Sequence, residues 1–102
     1  MKIIIGGADD RGLARALDVH DVTHATTADA AGLESAGVSA ADAFVLTDLE
    51  QATAIPVAKD RNPELTVLVY ANGSLPEFVT RQADKLLDPA LFDPGAIADA
   101  LE

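Results

Sequence analysis

The chain has 102 residues, 49% of them hydrophobic and 4% aromatic, with no cysteine and a net charge of −10. That size supports one hydrophobic core, built here from Ala, Val, Leu and Ile, and the hydrophobic content excludes a disordered chain. Disulfides, thiolate metal sites and cysteine nucleophiles are excluded, and a surface of this sign repels nucleic-acid phosphate and anionic lipid.

No apolar run reaches the roughly 18 residues of a membrane span. The start runs straight into Ile3-Ile4-Ile5 with no basic leader, so a cytoplasmic location is expected. Residues 2–5 predict a short buried strand. Gly6-Gly7-Ala8-Asp9-Asp10-Arg11-Gly12 follows, and then Leu13, Ala14, Ala16 and Leu17 give one apolar helix face, with Asp9 or Asp10 as its N-cap. Counted from Gly7 to Gly12 the spacing is G-x-D-x-x-G, a variant of the dinucleotide fingerprint. Asp9 stands where a second glycine would let the backbone approach a pyrophosphate. A tight strand-to-helix turn with no ligand explains the same residues about as well.

Residues 18–27 leave room for one strand, at 22–25, with His20 and His24 on one side of it. Strand spacing does not converge two such side chains on a metal, and no HExxH pattern surrounds them. Residues 29–37 predict a short helix closed by Gly37. An apolar strand at 43–46 ends in Thr47-Asp48, a pair suited to capping the helix that runs on to Asn62-Pro63. Pro56 within that helix requires a start nearer Thr53 or a kink costing roughly 3 kcal/mol. The next strand spans 65–70, and Ser74-Leu75-Pro76-Glu77 fits a capping box that opens a helix to about Ala83. A last strand at 85–87 leads to Asp88-Pro89, and Asp93-Pro94 starts a closing helix with Ile97 and Leu101 on one face. The final Leu101-Glu102 reads as native or as the remnant of a tag.

Strands each followed by a helix predict an α/β fold, one three-layer αβα domain over 1–102 with a five-stranded parallel sheet and right-handed crossovers. Ligands of such sheets bind beyond the carboxyl ends of the strands. There the sequence places Asp9, Asp10, Asp48 and Asp88 against Arg11. Such a rim suits a cation, a neutral polar ligand or a protein partner better than a bare phosphate. No nucleophile stands paired with a base, so the chain is expected not to be an enzyme.

The pieces LESAG (33–37), ADAFVLTDLEQA (41–52), VAKDRNPELTVLVYAN (57–72) and ADKLLDP (83–89) resemble, in order and spacing, the N-terminal domain of RCK/TrkA-type potassium-transport regulators. The resemblance implies a small Rossmann-like regulatory domain that binds NAD or an adenine nucleotide and meets a second copy or another protein. It makes Gly7, Gly12, Thr47 and Asp48 the positions matching nucleotide contacts, with Asp9 inside the glycine turn. The second strand and helix of that family have no counterpart here, nor has its ribose-reading acid. The abundance of Ala and the scarcity of Lys resemble haloarchaeal proteins.

A second resemblance is to the receiver domain of response regulators, which shares the sheet order 2-1-3-4-5. Asp9-Asp10 looks like the acidic pair that binds Mg²⁺ there, and Asp48 like the phosphoacceptor. Asp88 stands where that family has a lysine before a proline. This resemblance implies a pseudo-receiver. As the alternative to a ligand-binding domain, a protein-interaction module with no small-molecule ligand is expected to expose an apolar patch around Tyr70, Phe78 and Phe92 and to self-associate.

Overall fold

A computed structural model describes residues 1–9, 12–25, 29–72 and 82–101. Its strands are β1 (Lys2–Gly6), β2 (Asp21–Ala25), β3 (Ala43–Leu46), β4 (Thr66–Tyr70) and β5 (Lys85–Leu87). All pair in parallel, in the order β2-β1-β3-β4-β5. The described helices are α1 (Leu13–Ala16), α2 (Ala30–Ser35), α3 (Ala54–Arg61) and α4 (Pro94–Leu101).

Strand alternation sorts the apolar residues into two layers. Ile4, Phe44, Leu46, Val67 and Val69 point to one face, where they pack with Leu33 of α2 and Ile55 and Ala58 of α3. Ile3, Ile5, Val45, Leu68 and Tyr70 point to the other, against Leu13 of α1 and Ile97 of α4. The central strands are therefore apolar on both faces, as a covered parallel sheet demands. Three-layer αβα architecture with this strand order is what the sequence predicts.

Asp29 caps α2 by accepting from the Gly32 amide at 2.8 Å, and Gly37 follows the helix in the left-handed region with φ 86°. Asp93 caps α4 in the same way, its Oδ1 accepting from the Ala96 amide at 3.1 Å. Lys85–Leu87 is a strand as predicted, and β2 begins one residue earlier than the sequence suggests. Two expectations change. Helix α1 is a single turn, shorter than the LARALD stretch implies. Asp48 does not cap a long helix; it caps a 3₁₀ turn over Leu49–Gln51, and α3 starts only after Thr53. Pro56 thus falls in the first turn of α3, where a missing N–H leaves no intrahelical bond unmade and no kink is needed. The capping box at Ser74–Glu77 and Phe78 lie outside the described residues.

Asn62 ends α3 and ties it to the amino end of the sheet, donating from Nδ2 to the carbonyls of Val38 and Ala41 at 3.0 and 2.8 Å. At the other end of the same core, Gly6 lies under the fully buried ring of Phe44. A methyl group built on Gly6 would sit 2.7 Å from Phe44 Cε1. Overpacking of this kind typically costs about 1–3 kcal/mol. Gly6→Ala is accordingly expected to lower the stability by that amount, with a fall of roughly 4–8 °C in Tm per kcal/mol for a domain of this size. A midpoint unchanged on urea titration would show that Phe44 is free to move.

Candidate functional site

The sheet order places β2 and β3 on opposite sides of β1, so the crossovers leave β1 in opposite directions and open a crevice beyond the carboxyl ends of β1 and β3. The turn after β1 meets the turn after β3 there. Gly7 has φ 96°, and a side chain on it would collide with the Thr47 hydroxyl and lie 3.1 Å from the Asp48 amide. Glycine is therefore needed for the two turns to touch. Thr47 completes the junction: its amide donates to the Gly6 carbonyl at 2.9 Å, and its hydroxyl lies 2.6 Å from the Ala8 carbonyl. The space a side chain on Gly7 would enter is filled by this threonine.

Asp9 turns back onto the start of α1. Its Oδ1 accepts from the Leu13 amide at 2.6 Å and its Oδ2 from the Ala14 amide at 2.9 Å. Gly12, which precedes α1, is left-handed with φ 79°, and no described residue comes near the place where a side chain would begin. Its glycine serves the sign of the backbone angle and not the approach of another group. Asp48 Oδ1 accepts from the Glu50 amide at 3.0 Å, and Asp88 Oδ1 from the Ala90 amide at 2.9 Å. Each of these rim carboxylates therefore stabilises a local turn.

A pocket of about 430 Å³ opens between the β1, β3 and β4 ends. Of the five sequence-predicted site residues, Asp9, Thr47 and Asp48 line it, and Gly7 and Gly12 do not. Pro89, at the strand end the sequence places on the rim, lines it too; sequence reasoning missed Leu13, Leu49 and Tyr70, which with Pro89 give the pocket apolar walls, and Glu50, which adds a carboxylate. The available signal was position alone: Tyr70 ends β4, and Pro89 follows β5. Tyr70, expected on an exposed patch, is 2% exposed, and it belongs to the core against α1 and α4.

This geometry constrains the chemistry. Phosphate binding at a helix start uses free amide N–H groups. Those of Leu13 and Ala14 already make charge-assisted bonds to a carboxylate of the same chain. Among the described lining residues there is no lysine or arginine. No group of three or more His, Asp or Glu among the described residues comes together as a metal site. His24 is exposed on β2, and His20 has a buried Nε2 with no hydrogen-bond partner among the described residues.

The sequence profile of a family of unknown function, DUF7126, matches residues 3–101. The chain belongs to the DUF7126 family. That match spans both halves of the chain and overturns the RCK/TrkA resemblance, including its shortened haloarchaeal form. The pieces that carried the resemblance, at 33–37, 41–52, 57–72 and 83–89, are the helix stops, strand ends and caps that any parallel α/β sheet needs, so they report architecture. Two solved structures share the fold of this DUF7126 chain. One is a protein of Burkholderia pseudomallei K96243 described as pilus assembly-related, 22% identical, with 99% of this chain and 86% of that chain covered and a TM-score of 0.70. The other is the protein CpaE of Burkholderia thailandensis E264, described with pilus assembly, 22% identical, with 99% and 94% covered and a TM-score of 0.69. No curated protein matches the sequence.

The Asp9 bonds give the site its first measurable consequence. Asp9→Ala leaves two helix-start amides without their acceptor and is expected to destabilise the protein by about 1–3 kcal/mol. Asp9→Asn, which keeps one capping oxygen, should lose less. Urea denaturation of the two variants reads the difference, and equal stability of Asp9→Ala and the native chain would remove the cap from the account.

Proposed function

We propose that this DUF7126 chain is a receiver-like module that acts by binding another protein, with no phosphoryl transfer, nucleotide or catalysis of its own. The observation that carries the reading is the Asp9 carboxylate bound to the Leu13 and Ala14 amides. In a receiver this position belongs to the acidic pair that holds Mg²⁺. A metal and a nearby cation are what would offset charge on a phosphorylated Asp48. Here Asp9 caps a helix, and the position of the receiver lysine holds Asp88. A phosphoryl group on Asp48 would add charge to a pocket that already carries Asp9 and Glu50.

The same bonds weigh against a nucleotide at Gly7, Asp9, Gly12, Thr47 and Asp48, because the amides that would hold its phosphates are engaged. The two proteins of like fold are both described with pilus assembly, which supports a role in assembling or regulating a protein machine. Location in the cytoplasm belongs to this proposal; among the described residues no helix is long and apolar enough to cross a membrane.

Beryllofluoride with Mg²⁺ mimics an aspartyl phosphate and tests the reading by thermal unfolding. A ligand at 100 times its Kd adds about 2.7 kcal/mol to stability. The proposal predicts no shift beyond that of Mg²⁺ alone, in the native chain and in Asp48→Asn alike. A saturable shift that needs both Mg²⁺ and beryllofluoride and vanishes in Asp48→Asn would establish a working phosphoacceptor and overturn it.

A further inference from the structure

We infer that the partner binds through a basic, amphipathic peptide segment that lies across the carboxyl-end rim. An apolar side chain of that segment enters the pocket, and its arginine or lysine meets Asp48 and Glu50. This rests on the protein-binding reading above and names the class of partner.

A pocket of about 430 Å³ falls within the ~300–1,000 Å³ of sites that take up a ligand. Its walls include Leu13, Leu49, Tyr70 and Pro89, so an apolar side chain finds apolar neighbours there.

The surface beside it is apolar as well. Leu91 is 76% exposed and Phe92 42% exposed. They are held on a built turn: both amides donate to the Asp88 carbonyl at 2.9 Å, and the Tyr70 hydroxyl donates to the Phe92 carbonyl at 2.6 Å. Since Tyr70 also lines the pocket, this turn is anchored to the pocket wall. Two large apolar side chains exposed on the turn that follows Pro89 of the pocket lining add an apolar contact surface to the partly apolar pocket.

Charge selects the occupant. The pocket is lined by Asp9, Asp48 and Glu50 and, among the described residues, by no cation. Among the described residues, Asp48 is engaged through Oδ1 alone, and the Glu50 carboxylate accepts no hydrogen bond and makes no ion pair. These oxygens are available to cationic donors. A second copy of the chain would bring an acidic rim against its like, and nucleic acid or an anionic lipid surface would be repelled by the net charge of −10. A basic segment with apolar anchors satisfies both the pocket and the charge.

The test uses the full chain and a fluorescein-labelled synthetic peptide with arginines flanking a central leucine–phenylalanine pair, followed by anisotropy at physiological ionic strength. Saturable binding is expected. Asp48→Asn with Glu50→Gln should weaken it by about tenfold, which is 1.4 kcal/mol. Leu91→Ser with Phe92→Ser, at exposed positions that leave the fold intact, should weaken it by a similar factor, as should serines in place of the peptide's apolar pair. Asp60→Asn with Glu64→Gln, which removes the same charge beside the amino end of β4, should change it less than twofold. Absence of saturable binding, or equal weakening by the rim and remote pairs, would overturn the inference. That failure with no beryllofluoride response leaves the protein-binding reading standing, whereas a Mg²⁺-dependent response defeats the reading itself.

Discussion

The Asp9 carboxylate on the amides of Leu13 and Ala14 is the interaction on which the rim of this protein depends. The first turn of any helix leaves N–H groups without partners, and they can be satisfied by a side chain, by water or by a bound anion. In a nucleotide-binding sheet the anion belongs to the ligand. Here it belongs to the chain. One aspartate therefore fixes the turn after β1, starts α1 and supplies the negative group that a phosphate would otherwise provide.

The neighbouring turn makes the arrangement rigid. The left-handed backbone of Gly7 lets the Thr47 hydroxyl reach the Ala8 carbonyl, which joins the ends of β1 and β3. Below this junction the strands are apolar on both faces, and Gly6 accommodates the ring of Phe44. Carboxylates and apolar groups at the carboxyl ends of the strands are thereby left facing outward, as the proposed recognition surface requires.

Much of this was legible in the sequence. Short apolar runs separated by glycine and proline punctuation gave the five strands, and the Asp29, Gly37 and Asp93-Pro94 signals gave helix ends that the structure reproduces. The site was legible as a location, because the carboxyl ends of parallel strands follow from topology. Its chemistry was not. An aspartate after the first strand reads the same whether it caps a helix or faces a ligand, since both roles address the same amides. Pro56 was ambiguous for a related reason: a proline fits the first turn of a helix and breaks its interior, and only the three-residue 3₁₀ turn after Asp48 decides which applies. The walls contributed by Leu13, Leu49 and Tyr70 depend on long-range packing that local pattern does not encode.

The central claim is that the Leu13 and Ala14 amides are held by Asp9 and closed to a phosphate. The ¹H–¹⁵N spectrum of the native chain, recorded during titration with NAD and with ATP, reads those two amides directly. The account predicts that both cross-peaks stay in place to the highest nucleotide concentration, and that Asp9→Ala moves them in the absence of any ligand. Saturable movement of the two cross-peaks on adding either nucleotide to the native chain would contradict it.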